Sequence, residues 1–263
     1  MTTDSTGTTG TTGISITGTT GITGHTRTPT DIEGKLLQAQ QELLDCPVLA
    51  VDRSVTGDLS EIFDETPVIF SFLPEWEGVT FSRDLCVRSP RITEIANCWH
   101  SEPTAGIPEI RGEFRVTDLF TAVRKRPPNL AWTGSSDEER DFFTELRVID
   151  DTPLAATGQL AAVRVQKQAD PWELWYYDTE LTGVEGWTRQ YVKLDLTYPQ
   201  YVEQLAVTKG TLGWQYLFTD EVPLGHPDFA DVRNQLTAML DLFPRLFPAW
   251  SYAELSRRLE ARL

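Results

Sequence analysis

Chemistry-bearing signatures are scarce in this sequence. Its 263 residues hold three cysteines and three histidines. Cys46, Cys86 and Cys98 are too few for a disulfide framework, and their odd number suits a reducing compartment. There is no GxGxxG, no Walker phosphate loop, no GxSxG and no HExxH, so the common nucleotide, hydrolase and zincin signatures are missing. No run approaches the ~18 consecutive apolar residues of a membrane span. The start has neither the basic residues nor the apolar stretch of a secretory leader, so none is expected. Basic residues are also in short supply: 23 Lys and Arg face 39 Asp and Glu, for a net charge of −16. Such a chain is expected to repel nucleic acid and anionic membranes and to attract basic partners. Plain solubility accounts for the same charge.

What is present divides in two. Of the first 30 residues, 20 are Thr or Gly, in repeats such as Thr-Thr-Gly and Ile-Thr-Gly. A segment so poor in large apolar groups cannot offset the entropy of ordering, and residues 1–30 are expected to be a disordered tail. A Thr-rich stalk is the alternative. The tail's one Asp and one Arg cancel, so the whole acidic excess lies on residues 31–263, which are expected to form a single α+β domain.

Residues 31–44 place Ile32, Leu36, Ala39 and Leu43 at helical spacing behind Thr30 as N-cap, with Pro47 as the stop. Residues 48–100 read mostly as strands and loops, including the apolar run Val68–Leu73. Thr117 is placed to cap a helix through Val123. Ser136 and Glu139 form a capping box for a helix over 137–146 that would bury Phe142, Phe143 and Leu146. Three strands follow by period-two patterning around Val163, Leu174 and Val192, with short connections that favour antiparallel pairing. Thr197 with Gln200 opens a helix that stops at Lys209-Gly210. Residues 214–218 read as an aromatic turn or helix. Residues 228–242 form a further helix with Phe229, Val232, Leu236 and Leu240 inward. Ser251 and Glu254 are placed to cap a last one bearing the stripe Tyr252, Leu255, Leu259 and Leu263. Strands followed by helices, without strict alternation, predict an α+β fold: a small antiparallel sheet packed against helices.

Candidate chemistry is thin. Cys98-Trp99-His100, with Cys86 twelve residues earlier, offers three metal-ligating groups at spacings unlike those of structural zinc sites, so neither metal nor cofactor is expected. Asp137, Glu138, Glu139 and Asp141 suit a helix N-terminus. They and Asp150-Asp151 leave a carboxylate-dependent hydrolase open as an alternative. The most informative stretch is Asp170–Asp178 and its continuation to Trp187. If Trp172, Leu174 and Tyr176 face the core, Trp175 and Tyr177 lie on the other face beside Glu173. Aromatics ringed by acids make a recognition surface for a basic partner. The candidate partner-binding residues are Glu173, Trp175, Tyr177, Asp178, Glu180, Glu185 and Trp187. Coverage of both faces by helices, which would make these residues core, remains the alternative.

The string WYYD and then YVKLDLTYPQYVEQLAVTKGTLGWQYLFTD, within Trp175–Asp220, resembles the C-terminal half of the SUKH superfamily, the bacterial immunity and fungal cell-wall-regulator proteins. The matching elements are Leu194-Asp195-Leu196 running into a helix with Tyr198, Tyr201 and Leu205, the 208–218 segment, and Leu242–Pro244. The resemblance covers residues 129–263 and leaves 31–128 unmatched. It implies an α+β fold and a binding role, commonly toxin neutralisation, and has no catalytic residues to carry over. The expected function is therefore that of a cytoplasmic, non-enzymatic immunity-type protein that neutralises a protein toxin such as a basic nuclease. An interaction or regulatory module on the same fold is the second reading.

Overall fold

In the computed structural model, which describes residues 28–60, 66–103, 107–184 and 187–263, the first helix opens on a capping box. Thr30 Oγ1 accepts from the Glu33 N–H, and Glu33 Oε2 accepts from the Thr30 N–H at 2.7 Å. This satisfies two donors that a helix start leaves open. Helix α1 (Asp31–Asp45) then buries Ile32, Leu36, Ala39 and Leu43 along one stripe. Buried Glu33 also holds Arg91, through its backbone N–H at 2.7 Å and its guanidinium at 2.8 and 2.9 Å. The same guanidinium donates to the Thr28 carbonyl. Thr28 and Thr30 thus belong to the folded chain, three residues further back than composition places the boundary. The rest of the expected tail, residues 1–27, lies outside the described residues.

Strands β1 (Leu49–Thr56), β2 (Ile95–Ser101) and β3 (Arg111–Val116) form one antiparallel sheet in that order. Strands β4 (Leu146–Asp151), β5 (Leu160–Arg164), β6 (Glu173–Tyr177) and β7 (Tyr191–Leu194) form a second, also antiparallel. Between and after them lie α2 (Thr66–Ser71), α3 (Arg83–Arg88), α4 (Leu119–Arg124), α5 (Asp137–Glu145), α6 (Tyr198–Thr208), α7 (Ala230–Leu246) and α8 (Ala253–Glu260). The fold is α+β, with two small sheets where one was expected. Leu174, Tyr176, Val192 and Leu194 point inward as their alternation requires, and one apolar cluster runs from Ile32 to Leu259 across both sheets. No helix among the described residues is long and apolar enough to cross a membrane.

Several local expectations fail for identifiable reasons. The run at 68–73 is helical, not extended. Phe70 is driven fully inward, against Trp76 and Phe81, Ile69 and Leu73 are partly buried, and Val68 and Phe72 stay exposed. Asp118, not Thr117, caps α4, because its carboxylate accepts the Thr121 N–H at 2.9 Å. Leu146 leaves the helix and begins β4. No side-chain cap opens α8, and Leu263 is exposed.

Two buried polar contacts join the layers. At the seam between β3 and β4, Asp150 accepts the Arg115 N–H (2.8 Å) and the Tyr201 hydroxyl (2.7 Å), and the Arg115 guanidinium grips Asp151 with both nitrogens. Beyond α6, Lys209 adopts a left-handed conformation and buries its ammonium 2.8 Å from Glu42, in an ion pair lying off hydrogen-bond alignment. The rings of Phe247 and Trp250 lie 4.2 and 4.8 Å from it. Burial lowers the Lys209 ammonium to about 8, against the pull of Glu42. Gly210 follows at φ +68°, where a Cβ would fall 2.9 Å from the Glu113 carbonyl, so only glycine fits this stop.

Candidate functional site

A cavity of about 850 Å³ opens on the outer face of the first sheet. It falls within the ~300–1,000 Å³ typical of ligand sites. The alternation of β2 builds it: Trp99 and Ser101 are buried on the core side, and Cys98 and His100 stand half-buried on the other. Trp99 lies directly across from Gly112 and its ring packs onto that glycine, where a Cβ would come within 2.6 Å. Its indole N–H donates to the Lys209 carbonyl at 2.7 Å. This anchors β2 beneath the cavity. Ile107, Ile110, Ala155 and Leu212 supply apolar wall.

Asp52 reaches the cavity through a bulge. Val51 pairs with Trp99 and Arg53 with Cys98, so Asp52 is the extra residue that opposes nothing. Bulges re-aim side chains in this way. The Asp52 carboxylate lies 3.0 Å from His100 Nδ1. Glu102, Glu109 and Arg111 complete the charged lining. Beside Cys98, directly across in β3, Glu113 is buried and accepts the N–H groups of Leu154 (2.7 Å) and Ala155 (2.5 Å). Burial raises the Cys98 thiol, and Glu113 and Asp52 raise it further. A Cys nucleophile needs the opposite, a field that favours thiolate. Although Cys, His and Asp meet here, the arrangement disfavours an activated thiol and favours cations. Cys86 lies on α3, away from this lining. No group of three or more His, Cys, Asp or Glu among the described residues is placed to hold a metal ion.

The seven sequence-predicted site residues do not form one exposed patch. Trp172, Leu174 and Tyr176 are core, as expected. The opposite face of the second sheet is covered too. Helix α5 lays Phe142 and Phe143 over it, and Trp175 meets Phe142 edge-on at 4.8 Å and Tyr191 at 5.8 Å. Glu173 is neutralised within the chain by Arg164 (3.2 Å), Lys193 (2.6 Å) and the Trp175 indole (3.1 Å). Burial acts to raise its carboxyl, but these bonds outweigh it and hold it low. Tyr177 is buried, with its hydroxyl on Gln190. Asp178 is buried as well, where a recognition acid should be exposed. It accepts from Tyr216 (2.6 Å), Gln159 (2.7 Å) and the Glu180 N–H (2.9 Å). Trp187 is half-buried, Glu180 is exposed, and Glu185 lies outside the described residues. Period-two patterning separates two faces but does not say whether the second is covered.

Of the residues in the cavity, Cys98 and His100 are conspicuous in the sequence as a local pair. Asp52 is not, because a bulge leaves no mark in composition or period. Nor do the paired acids Asp150 and Asp151 face one another: one enters the core and the other pairs with Arg115. No protein-family model matches this chain, and no match was found among characterised proteins or solved structures.

Proposed function

We propose that this chain is a non-enzymatic, immunity-type protein of the cytoplasm that neutralises a basic protein toxin, such as a nuclease, by binding it. The observation that carries the reading is the character of the cavity on the first sheet. It has apolar walls, the carboxylates of Asp52 and Glu109 near the guanidinium of Arg111, and a thiol whose ionisation burial opposes. These features suit the capture of a cationic group better than covalent chemistry. The net charge of −16 supports the same reading, since it steers a basic protein inward and raises its association rate. It also disfavours nucleic acid and anionic membranes as partners. The unpaired thiols of Cys46, Cys86 and Cys98 suit a reducing compartment. The SUKH resemblance of residues 129–263 points to the same role.

Co-expression tests it. The protein encoded beside this gene is expected to arrest growth alone, to be harmless when this chain is co-expressed, and to form a complex with it whose association slows as salt rises. A harmless neighbour, or killing that this chain does not relieve, overturns the reading.

A further inference from the structure

We infer that the cavity on the outer face of the first sheet is an anchor pocket for an arginine side chain presented by an apolar loop of the basic partner. The inference rests on the binding reading above and gives it a place and a chemistry.

The size fits such an occupant. About 850 Å³ is more than one side chain fills and suits an arginine with its flanking residues. The walls offered by Ile107, Ile110 and Leu212 match an aliphatic stem and apolar neighbours. The head group is set by charge. Asp52 is half-exposed, and its one hydrogen bond among the described residues is to His100 through Oδ2. Its second oxygen is therefore available to an incoming donor, while His100 fixes the rotamer. Glu109 adds an exposed carboxylate on the same lining. Glu113 lies beside Cys98, across in β3, and its carboxylate and that of Asp52 both act against negative charge at that thiol. An anion would meet these carboxylates unfavourably. Between the two cationic side chains, guanidinium is the more weakly hydrated and sheds less water on entering a half-apolar space. Its planar fork also matches a carboxylate that is already held in place.

The probe is a capped tripeptide, acetyl-Leu-Arg-Leu-amide, titrated calorimetrically against the full chain beside a twin in which citrulline replaces arginine. Citrulline keeps the shape and removes the charge. The arginine peptide is expected to bind at least tenfold more tightly than its twin, and less tightly as salt rises. Asp52→Asn is expected to remove that preference with an unchanged melting temperature. Glu254→Gln, outside the cavity, is expected to keep it. Equal binding of the two peptides, no binding of the arginine peptide, or an unchanged preference in Asp52→Asn overturns the inference. Its failure is separable from failure of the immunity reading. If Asp52→Asn still rescues growth as the parent does, the anchor is wrong and the binding role stands. If the parent fails to rescue while the arginine peptide binds, the toxin assignment falls and the pocket stands.

Discussion

At the scale of single residues, Asp150 carries the clearest electrostatic cost. It is wholly buried at the seam of the two sheets, and burial pushes its carboxyl up to about 7, against the hydrogen bonds from Tyr201 and the Arg115 N–H. An unfolded Asp titrates near ~4. Between about pH 4 and 7 the folded chain therefore holds a proton that the unfolded chain has lost. Stability contributed at this position is present at low pH and falls as pH rises through that window. Asp150→Asn keeps an acceptor for the Arg115 N–H and removes the charge. The variant is expected to melt above the parent at pH 8, by an amount on the order of 2–4 kcal/mol, with the gap closing toward pH 4.5. Calorimetry across that range checks it. A variant that melts below the parent at pH 8, with no pH dependence in the difference, would show that the ionised carboxylate is the stabilising form. Nothing in the sequence distinguishes Asp150 from its neighbour Asp151. Only the register of β4, with its shift between Val148 and Asp150, turns one inward and leaves the other at Arg115.

At the scale of elements, some helix starts follow the sequence and strand neighbourhoods do not. The capping boxes at Ser136 and Thr197 and the cap at Thr30 form, because each is a local arrangement of residues three apart, whereas the caps expected at Thr117 and Ser251 do not. The α1 box and the Arg91 contact place Thr30 and Thr28 within the fold. Removing residues 1–27 keeps Thr28, which bonds Arg91, and Thr30, which caps α1, and is expected to leave the melting temperature unchanged. Removing residues 1–30 deletes both contacts and is expected to cost about 1 kcal/mol. The two truncations melted side by side provide the check; a large loss already in the shorter truncation contradicts this boundary. By contrast, whether the outer face of β6 meets solvent or α5 is decided by a helix 28 residues earlier in the chain. Exposure of Trp175 and Tyr177 was accordingly not legible from the alternation around them.

At the scale of the whole molecule, the net charge is −16, and the excess negative charges repel one another. Salt shortens the reach of that repulsion, from ~10 Å at 0.1 M to ~3 Å at 1 M. The Glu33–Arg91 pair is shielded from solvent and screened little. The melting temperature is therefore expected to rise by on the order of 2–4 °C between about 0.05 and 0.5 M sodium chloride, roughly 1 kcal/mol for a chain of this size. A fall over that range would mean that surface ion pairs outweigh the repulsion. Composition determined the acidic character and the contrast between the Thr/Gly start and the rest. Local pattern determined the α+β class, the helix caps, the left-handed stop at Lys209-Gly210 and the inward face of the second sheet, since each depends on residues within a turn or a strand of one another. Tertiary structure alone decided that Asp52 meets His100, that Asp178 and Asp150 are interior, and that α5 closes the face holding Trp175. Those outcomes depend on bulges, register and the approach of distant segments. Their energies come from contacts between residues tens of positions apart, which leave no periodic trace along the chain.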